Sequence, residues 1–241
     1  MRYCATIDEF SQCHGDEIGR YRRGLRIRRH RTVAAFRAQR RGCAHRGRDC
    51  CGFDIPTYAE PVVDMPVTVV EYDPYWPNQF AEQRDQLARL LAPWLAAPVE
   101  HVGSTSVPGL AAKPVIDILA PVIAVAEAGG AVSVLENDGW LYWPTDPNGC
   151  WRLWFLRPRP EARTHHLYLA QRDDPHVAEL RAFRDALRAN RGLRDQYGAL
   201  KRRLANVFRD DREAYTRAKA HFIDRTLRAG GVDPLPRPPS E

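Results

Sequence analysis

The 241 residues are 44% hydrophobic and 27% charged, a globular balance that excludes a collagen-like or low-complexity chain and suffices for a buried core. A net charge of +6 points towards nucleic acid only until it is divided by position: residues 1–64 hold 13 Arg, no Lys and 8 acidic residues, a balance of +5, and the rest is close to neutral. Five of the six cysteines lie in the first 51 residues without a CxxC pair, so the spacing of a zinc ribbon or finger is absent.

The segment RYRRGLRIRRHRTVAAFRAQRRG (Arg20–Gly42) carries dense like charge over a weak helical stripe. It admits three readings: a basic arm for nucleic acid or acidic lipid, a disordered tail, or translated sequence upstream of a true start at Met65. The last two are preferred, so residues 1–64 are set apart as an Arg- and Cys-rich extension and nucleic acid is not an expected partner. Asp8 and Glu9 interrupt the place of a signal-peptide core, and the apolar run Val115–Ala126 is too short to span a bilayer. A cytoplasmic protein without membrane attachment is expected.

From Met65 the patterns become regular. Val67–Glu71 reads as a short strand, and Pro77–Trp94 as a helix with Phe80, Leu87, Leu90, Leu91 and Trp94 on one stripe. Val99–Val102 is a strand that runs into the turn segment Gly103–Gly109. Pro114–Val122 is a buried strand, and Ile123–Glu136 a helix weakened by Gly129 and Gly130. Three strands follow, Gly139–Trp143, Trp151–Arg157 and His165–Ala170. Two helical stripes come next, Val177/Leu180/Phe183/Leu187 and Leu193/Tyr197/Leu200/Leu204. A last helix is read with Asp210 as N-cap and Glu213 completing a capping box. The fold class is α+β, a small mixed sheet flanked by helices with a helical C-terminal portion, over residues 65–230; residues 231–241 are a Pro-rich tail.

The chemistry concentrates in HVGSTSVPGLAAKPVIDIL (His101–Leu119). A Gly-Ser turn after a strand offers N–H groups and a hydroxyl to phosphate, Lys113 can neutralise its charge, and Asp117 is a carboxylate in an apolar strand that requires a partner. This is the plan of a nucleotidyltransferase site, in which strand carboxylates hold Mg²⁺. GxxxxGK(S/T), GxGxxG and GxSxG are all absent, which argues against a Walker loop, a Rossmann fingerprint and an esterase elbow.

The segments EYDPYWPNQF (Glu71–Phe80), VEHVGSTSVPGLAAKPVIDIL (Val99–Leu119), RTHHLYL (Arg163–Leu169), FRDALRANRGLRDQYGALKRRLA (Phe183–Ala205) and DREAYTRAKAHFI (Asp211–Ile223) resemble the GrpB family, over roughly residues 67–228. The resemblance implies a nucleotidyltransferase-like fold and a site that binds a nucleotide or related phosphorylated ligand. Gly103, Ser104 and Thr105 would cradle phosphate; Asp117 would hold the metal, Mg²⁺; and Lys113, Arg163, His101 and His166 would line the site, with Asp117 and His166 as its catalytic residues. The expected reaction is nucleotidyl transfer.

Two departures stand against it. Leu119 occupies the place of the second metal-binding acid, leaving one metal or another carboxylate such as Glu71 or Glu100, and Tyr168 stands where the family commonly has a second His. The alternative is a non-enzymatic, degenerate domain that assists folding or regulation of a coenzyme A enzyme, since GrpB-like domains occur fused to dephospho-CoA kinase. Lys201 and Lys219 read as solvated faces of amphipathic helices.

Overall fold

The structure, a computed structural model, describes residues 66–237. The expectations for residues 1–64 lie outside the described residues. Five strands, β1 (Glu100–Val102), β2 (Ile116–Val122), β3 (Leu141–Tyr142), β4 (Arg152–Arg157) and β5 (His165–Gln171), form one mixed sheet in the order β1-β2-β5-β4-β3. Only the β2–β5 pair is parallel. Pro121 is tolerated within β2 because its carbonyl accepts from Ala96 N beyond the end of β1, so its missing N–H interrupts no bond to β5.

Strand alternation sorts the sheet into two faces. One carries His101, Ile116, Ile118, Phe155, Leu167 and Leu169 and packs beneath α1 (Trp76–Leu90) and α2 (Ala131–Asn137). The other carries Asp117, Leu119, Trp154, His166 and Tyr168 and faces the C-terminal helices α3 (Pro175–Ala189), α4 (Arg191–Val207), α5 (Arg212–Ala218) and α6 (Ala220–Ala229). This is the expected α+β architecture with its helical C-terminal portion.

Local chemistry explains the boundaries. Asp174 caps α3 by accepting from His176 N at 2.8 Å, with Pro175 next, and Asn190 caps α4 by accepting from Leu193 N at 2.9 Å. Three expectations change. The cap of α5 is Asp211, which accepts from Ala214 N at 2.8 Å, and the helix expected beyond it breaks into α5 and α6 at Lys219. The helix expected over Ile123–Glu136 starts only at Ala131, because Gly129 and Gly130 are drawn into a preceding 3₁₀ turn, Glu127–Gly130. Val67–Glu71 pairs through a single bridge, Val70 to Ala112.

The helical portion is fastened to the sheet edge at Glu100, whose carboxylate receives Arg181 at 2.6 Å and Arg184 at 3.0 Å, both from α3. Val107, Leu110, Leu187, Tyr197 and Phe222 form a second core behind the turn after β1. Residues 232–237 have no regular structure, yet Arg237 ties them back to Glu179 at 3.1 Å and Asp224 at 2.8 Å. Among the described residues no helix is long and apolar enough to cross a membrane.

Candidate functional site

The end of β1 sets the geometry. Gly103 has φ +68° and ψ −170°, a region essentially reserved for glycine. A Cβ on it would lie 2.3 Å from Asp117 Oδ2, so backbone and carboxylate can approach this closely only without a side chain. Asp117 stands opposite Val102 on β1 and beside His166 on β5. His166 Nδ1 lies 3.1 Å from Asp117 Oδ1, and the Tyr168 hydroxyl donates to the same oxygen at 2.9 Å. With Asp117 ionised, Nδ1 carries the proton of that contact. Burial raises the cost of the charge on Asp117, but the hydrogen bonds from His166 and Tyr168, with the nearby His101, outweigh it and hold the carboxyl below its ordinary range. Burial and the Asp117 charge push the Tyr168 phenol up, which keeps it a donor.

The opposite ring atom, His166 Nε2, is buried and has no hydrogen-bond partner among the described residues. His166 borders a cleft of about 100 Å³ walled by Lys113, Pro114, Pro160, Arg163 and Arg212. At ~30 Å³ per water this volume admits one phosphate-sized group rather than a whole nucleoside. Trp154 meets His166 edge-on at 5.3 Å, and the guanidinium groups of Arg163 and Arg212 lie over its ring at 5.7 and 6.0 Å.

Of the residues singled out in the sequence, Gly103, Lys113, Asp117, Arg163 and His166 thus come together. Ser104 is half-buried at the start of the 3₁₀ turn Ser104–Ser106. The Thr105 hydroxyl is buried within the turn, where it donates to Val115 O at 3.1 Å and meets His101 Nε2 at 3.0 Å. His101 stands opposite Ile118, on the sheet face away from Asp117, and stacks on Phe80 with centroids 4.8 Å apart. Burial lowers its pKa to about 4, which keeps it neutral at pH 7.

Sequence reasoning missed two residues. Lys201 on α4 is only 2% exposed, and its Nζ sits 4.8 Å from the Tyr197 ring centre without a hydrogen-bond partner among the described residues. Lys219, between α5 and α6, is half-buried with Nζ 4.2 Å from the Tyr215 ring centre. Burial lowers Lys201 to about 7, helped by the charge of Lys219; burial lowers Lys219 to about 8, helped by Lys113 and Arg212. Asp117 acts on both in the opposite sense. The available signal was Lys201 itself, four residues after Tyr197 on the apolar stripe side of α4.

The donors do not fit a pair of Mg²⁺ ions. Leu119 is fully buried with Val102, Trp151, Ala170 and Val177. Glu71 is engaged by Arg202 at 2.6 Å, and Glu100 by Arg181 and Arg184, so neither substitutes for the second acid. Among the described residues no group of three or more His, Cys, Asp or Glu side chains is arranged to hold a metal. A larger groove, of about 560 Å³, has a floor of Leu200, Leu204 and Phe222 and a rim that includes Arg203 and Arg225, and among the described residues no carboxylate lines it.

A family model described as GrpB protein matches residues 66–229. The chain is 39% identical over 171 residues to UPF0157 protein PA4798 of Pseudomonas aeruginosa, covering 68% of this chain and 67% of that protein. It is 35% identical over 162 residues to UPF0157 protein BH1888 of Halalkalibacterium halodurans, covering 67% and 81%. The crystal structure of conserved protein GrpB from Enterococcus faecalis superposes with a TM-score of 0.60 at 34% identity, covering 68% of this chain and 96% of that one.

Proposed function

The chain belongs to the GrpB family, and we propose that the cleft beside His166 binds a phosphorylated small molecule, a nucleotide being the class that the sheet and its Gly-Ser turn suggest. One observation carries this reading: His166, whose buried Nε2 has no hydrogen-bond partner among the described residues, borders a phosphate-sized cleft walled by Lys113, Arg163 and Arg212. Anions are favoured where several cations converge on a partly dry site. The volume implies that a phosphate group enters and the remainder of the ligand stays at the mouth.

Catalysis is the weaker half of the reading. Nucleotidyl transfer draws on paired carboxylates, and the strand position that would supply the partner of Asp117 holds Leu119, with His166 as a proton-carrying neighbour of the aspartate. The burial of Leu119 therefore favours a second reading, a binding domain without turnover that serves a coenzyme A enzyme, with dephospho-CoA kinase as the expected partner.

Calorimetric titration of the full chain with ATP, dephospho-CoA and inorganic pyrophosphate tests the binding. Saturable binding that Arg163→Ala weakens supports it, and absence of binding by all three overturns it. Release of pyrophosphate from ATP, lost in Asp117→Asn, would return the enzyme reading to first place; a stable complex with dephospho-CoA kinase without turnover would support the second.

A further inference from the structure

We propose that the groove between α4 and the α5–α6 pair is a docking site for a partner protein, and that its occupant is an acidic amphipathic helix. The groove shares no lining residue with the cleft beside His166, so its occupation is independent of phosphate binding.

The helices set the shape. Gln196, Leu200 and Leu204 fall four residues apart along α4, with Ala199 and Arg203 beside them, so all five share one face. Ala218 of α5 and His221 and Arg225 of α6 face them across the groove, and Phe222 completes the floor. From Gln196 to Leu204 the wall runs about 12 Å at the rise of an α-helix. That is some two turns of a docked helix, whose anchors recur at i, i+3 or i+4 and i+7. The volume of about 560 Å³ is that of a site for an organic ligand or for several side chains, not for one ion.

Charge selects the occupant. Arg203 on one wall and Arg225 on the other are both exposed, and neither forms an ion pair among the described residues. The Arg225 guanidinium lies 5.2 Å from the centre of the Phe222 ring, which holds it at the rim. The acids of these helices are engaged elsewhere: Asp195 with Arg191 at 3.7 Å, Glu213 with Arg217 at 3.5 Å and Asp224 with Arg237 at 2.8 Å. An apolar floor under an arginine rim complements a helix whose apolar stripe is flanked by Asp or Glu, each carboxylate able to accept from one guanidinium. A second copy of this chain fits badly. Its α4 carries five basic residues and one acidic, so a two-fold pairing of these faces would set arginine against arginine. The segment Arg20–Gly42 has the sign of the rim as well.

The test is selection from a phage-displayed library of helical peptides of about 16 residues, long enough to form a helix. One stripe is drawn from Leu, Ile, Met and Phe, and the flanking positions from Glu, Lys, Gln and Ser in equal shares. Selection on the full chain is expected to enrich Glu over Lys at the flanks by about threefold or more. A synthetic peptide of the enriched sequence, followed by fluorescence anisotropy, is expected to bind about tenfold more weakly to Arg203→Glu and to Ala199→Trp, which fills the groove. Both positions are exposed, so each variant should melt as the parent does. Failure to enrich any peptide, enrichment of Lys equal to that of Glu, or undiminished binding by both variants overturns the proposal. A parent dimer in sedimentation that Ala199→Trp dissociates overturns it in favour of a second copy. Binding to phosphatidylglycerol vesicles that Ala199→Trp abolishes, with no peptide enriched, overturns it in favour of a membrane surface.

Discussion

Gly103 and Asp117 are fitted to each other: the carboxylate occupies the space that any side chain at residue 103 would need, with Oδ2 only 2.3 Å from the site of a Cβ. Gly103→Ala therefore meets both this contact and an unfavourable φ of +68°. Because the clash is with a carboxylate whose other oxygen is already fixed by two donors, relief must come from the backbone. The expected cost is about 2–3 kcal/mol in chemical denaturation, with loss of phosphate binding in whatever still folds. An Ala variant as stable as its parent would show that the turn is not held by this contact.

Stability should climb with pH above neutrality. Lys201 is near 7 in the fold against an ordinary 10.5, so between those values the unfolded chain holds more protons and raising the pH favours the fold. The groups that act on it are Lys219, Arg202 and Asp117, and its nearest face is Tyr197. Lys219, near 8, contributes in the same direction over a narrower window. Melting temperatures between pH 7 and pH 10 should rise for the parent and flatten in Lys201→Met, which should also be the more stable at pH 7, by on the order of a few kcal/mol. A flat parent profile would contradict the burial of this amine.

Acid sensitivity has a different origin. Burial pushes both His101 and His165 down to about 4 from an ordinary 6.5, so each is kept neutral by the fold. Their stabilisation is fully present above pH 6.5 and is lost as the pH falls towards 4, where only the unfolded chain would otherwise carry the protons. Unfolding by urea at pH 4.5 and pH 7 should reveal it, and His101→Gln should lose less stability between the two than the parent does.

Glu100 is a clasp rather than a ligand. Burial works against its charge, and the hydrogen bonds from Arg181 and Arg184 overcome that penalty and keep the carboxyl low. Glu100→Gln keeps the shape but gives up charge at both contacts, so a loss of about 1–2 kcal/mol is expected in equilibrium unfolding. Phosphate binding should change little, since the side chain points to α3.

The strand–turn–strand unit was legible because its signals are local: β-branched runs, a Gly-Ser turn and one acid among Val115, Ile116, Ile118 and Leu119. The partners of Asp117 were legible in part, since alternation along β5 puts His166 and Tyr168 on one face, and only the parallel register with β2 brings that face to Asp117. The face that His101 joins was not legible, because one residue of phase at a strand end decides it. Lys201 and Lys219 were read as solvated because the chain around them, KRRLANVFRDDREAYTRAKA, is rich in charge. Their burial comes from α4 and the α5–α6 junction closing over the sheet, a tertiary event with no local signature. The shift of the cap from Asp210 to Asp211 is of the ordinary kind between adjacent capping residues.

The cleft draws its walls from both ends of the folded region, with Lys113 from the loop before β2, Arg163 and His166 from the start of β5 and the residues before it, and Arg212 from α5. During synthesis the strands leave the ribosome long before the helices that complete the cationic wall. A chain stopped after β5 can pair β2 with β5 and bring His166 to Asp117, but it lacks Arg212 and the four C-terminal helices. The cleft therefore reaches its full lining only once α5 has been made.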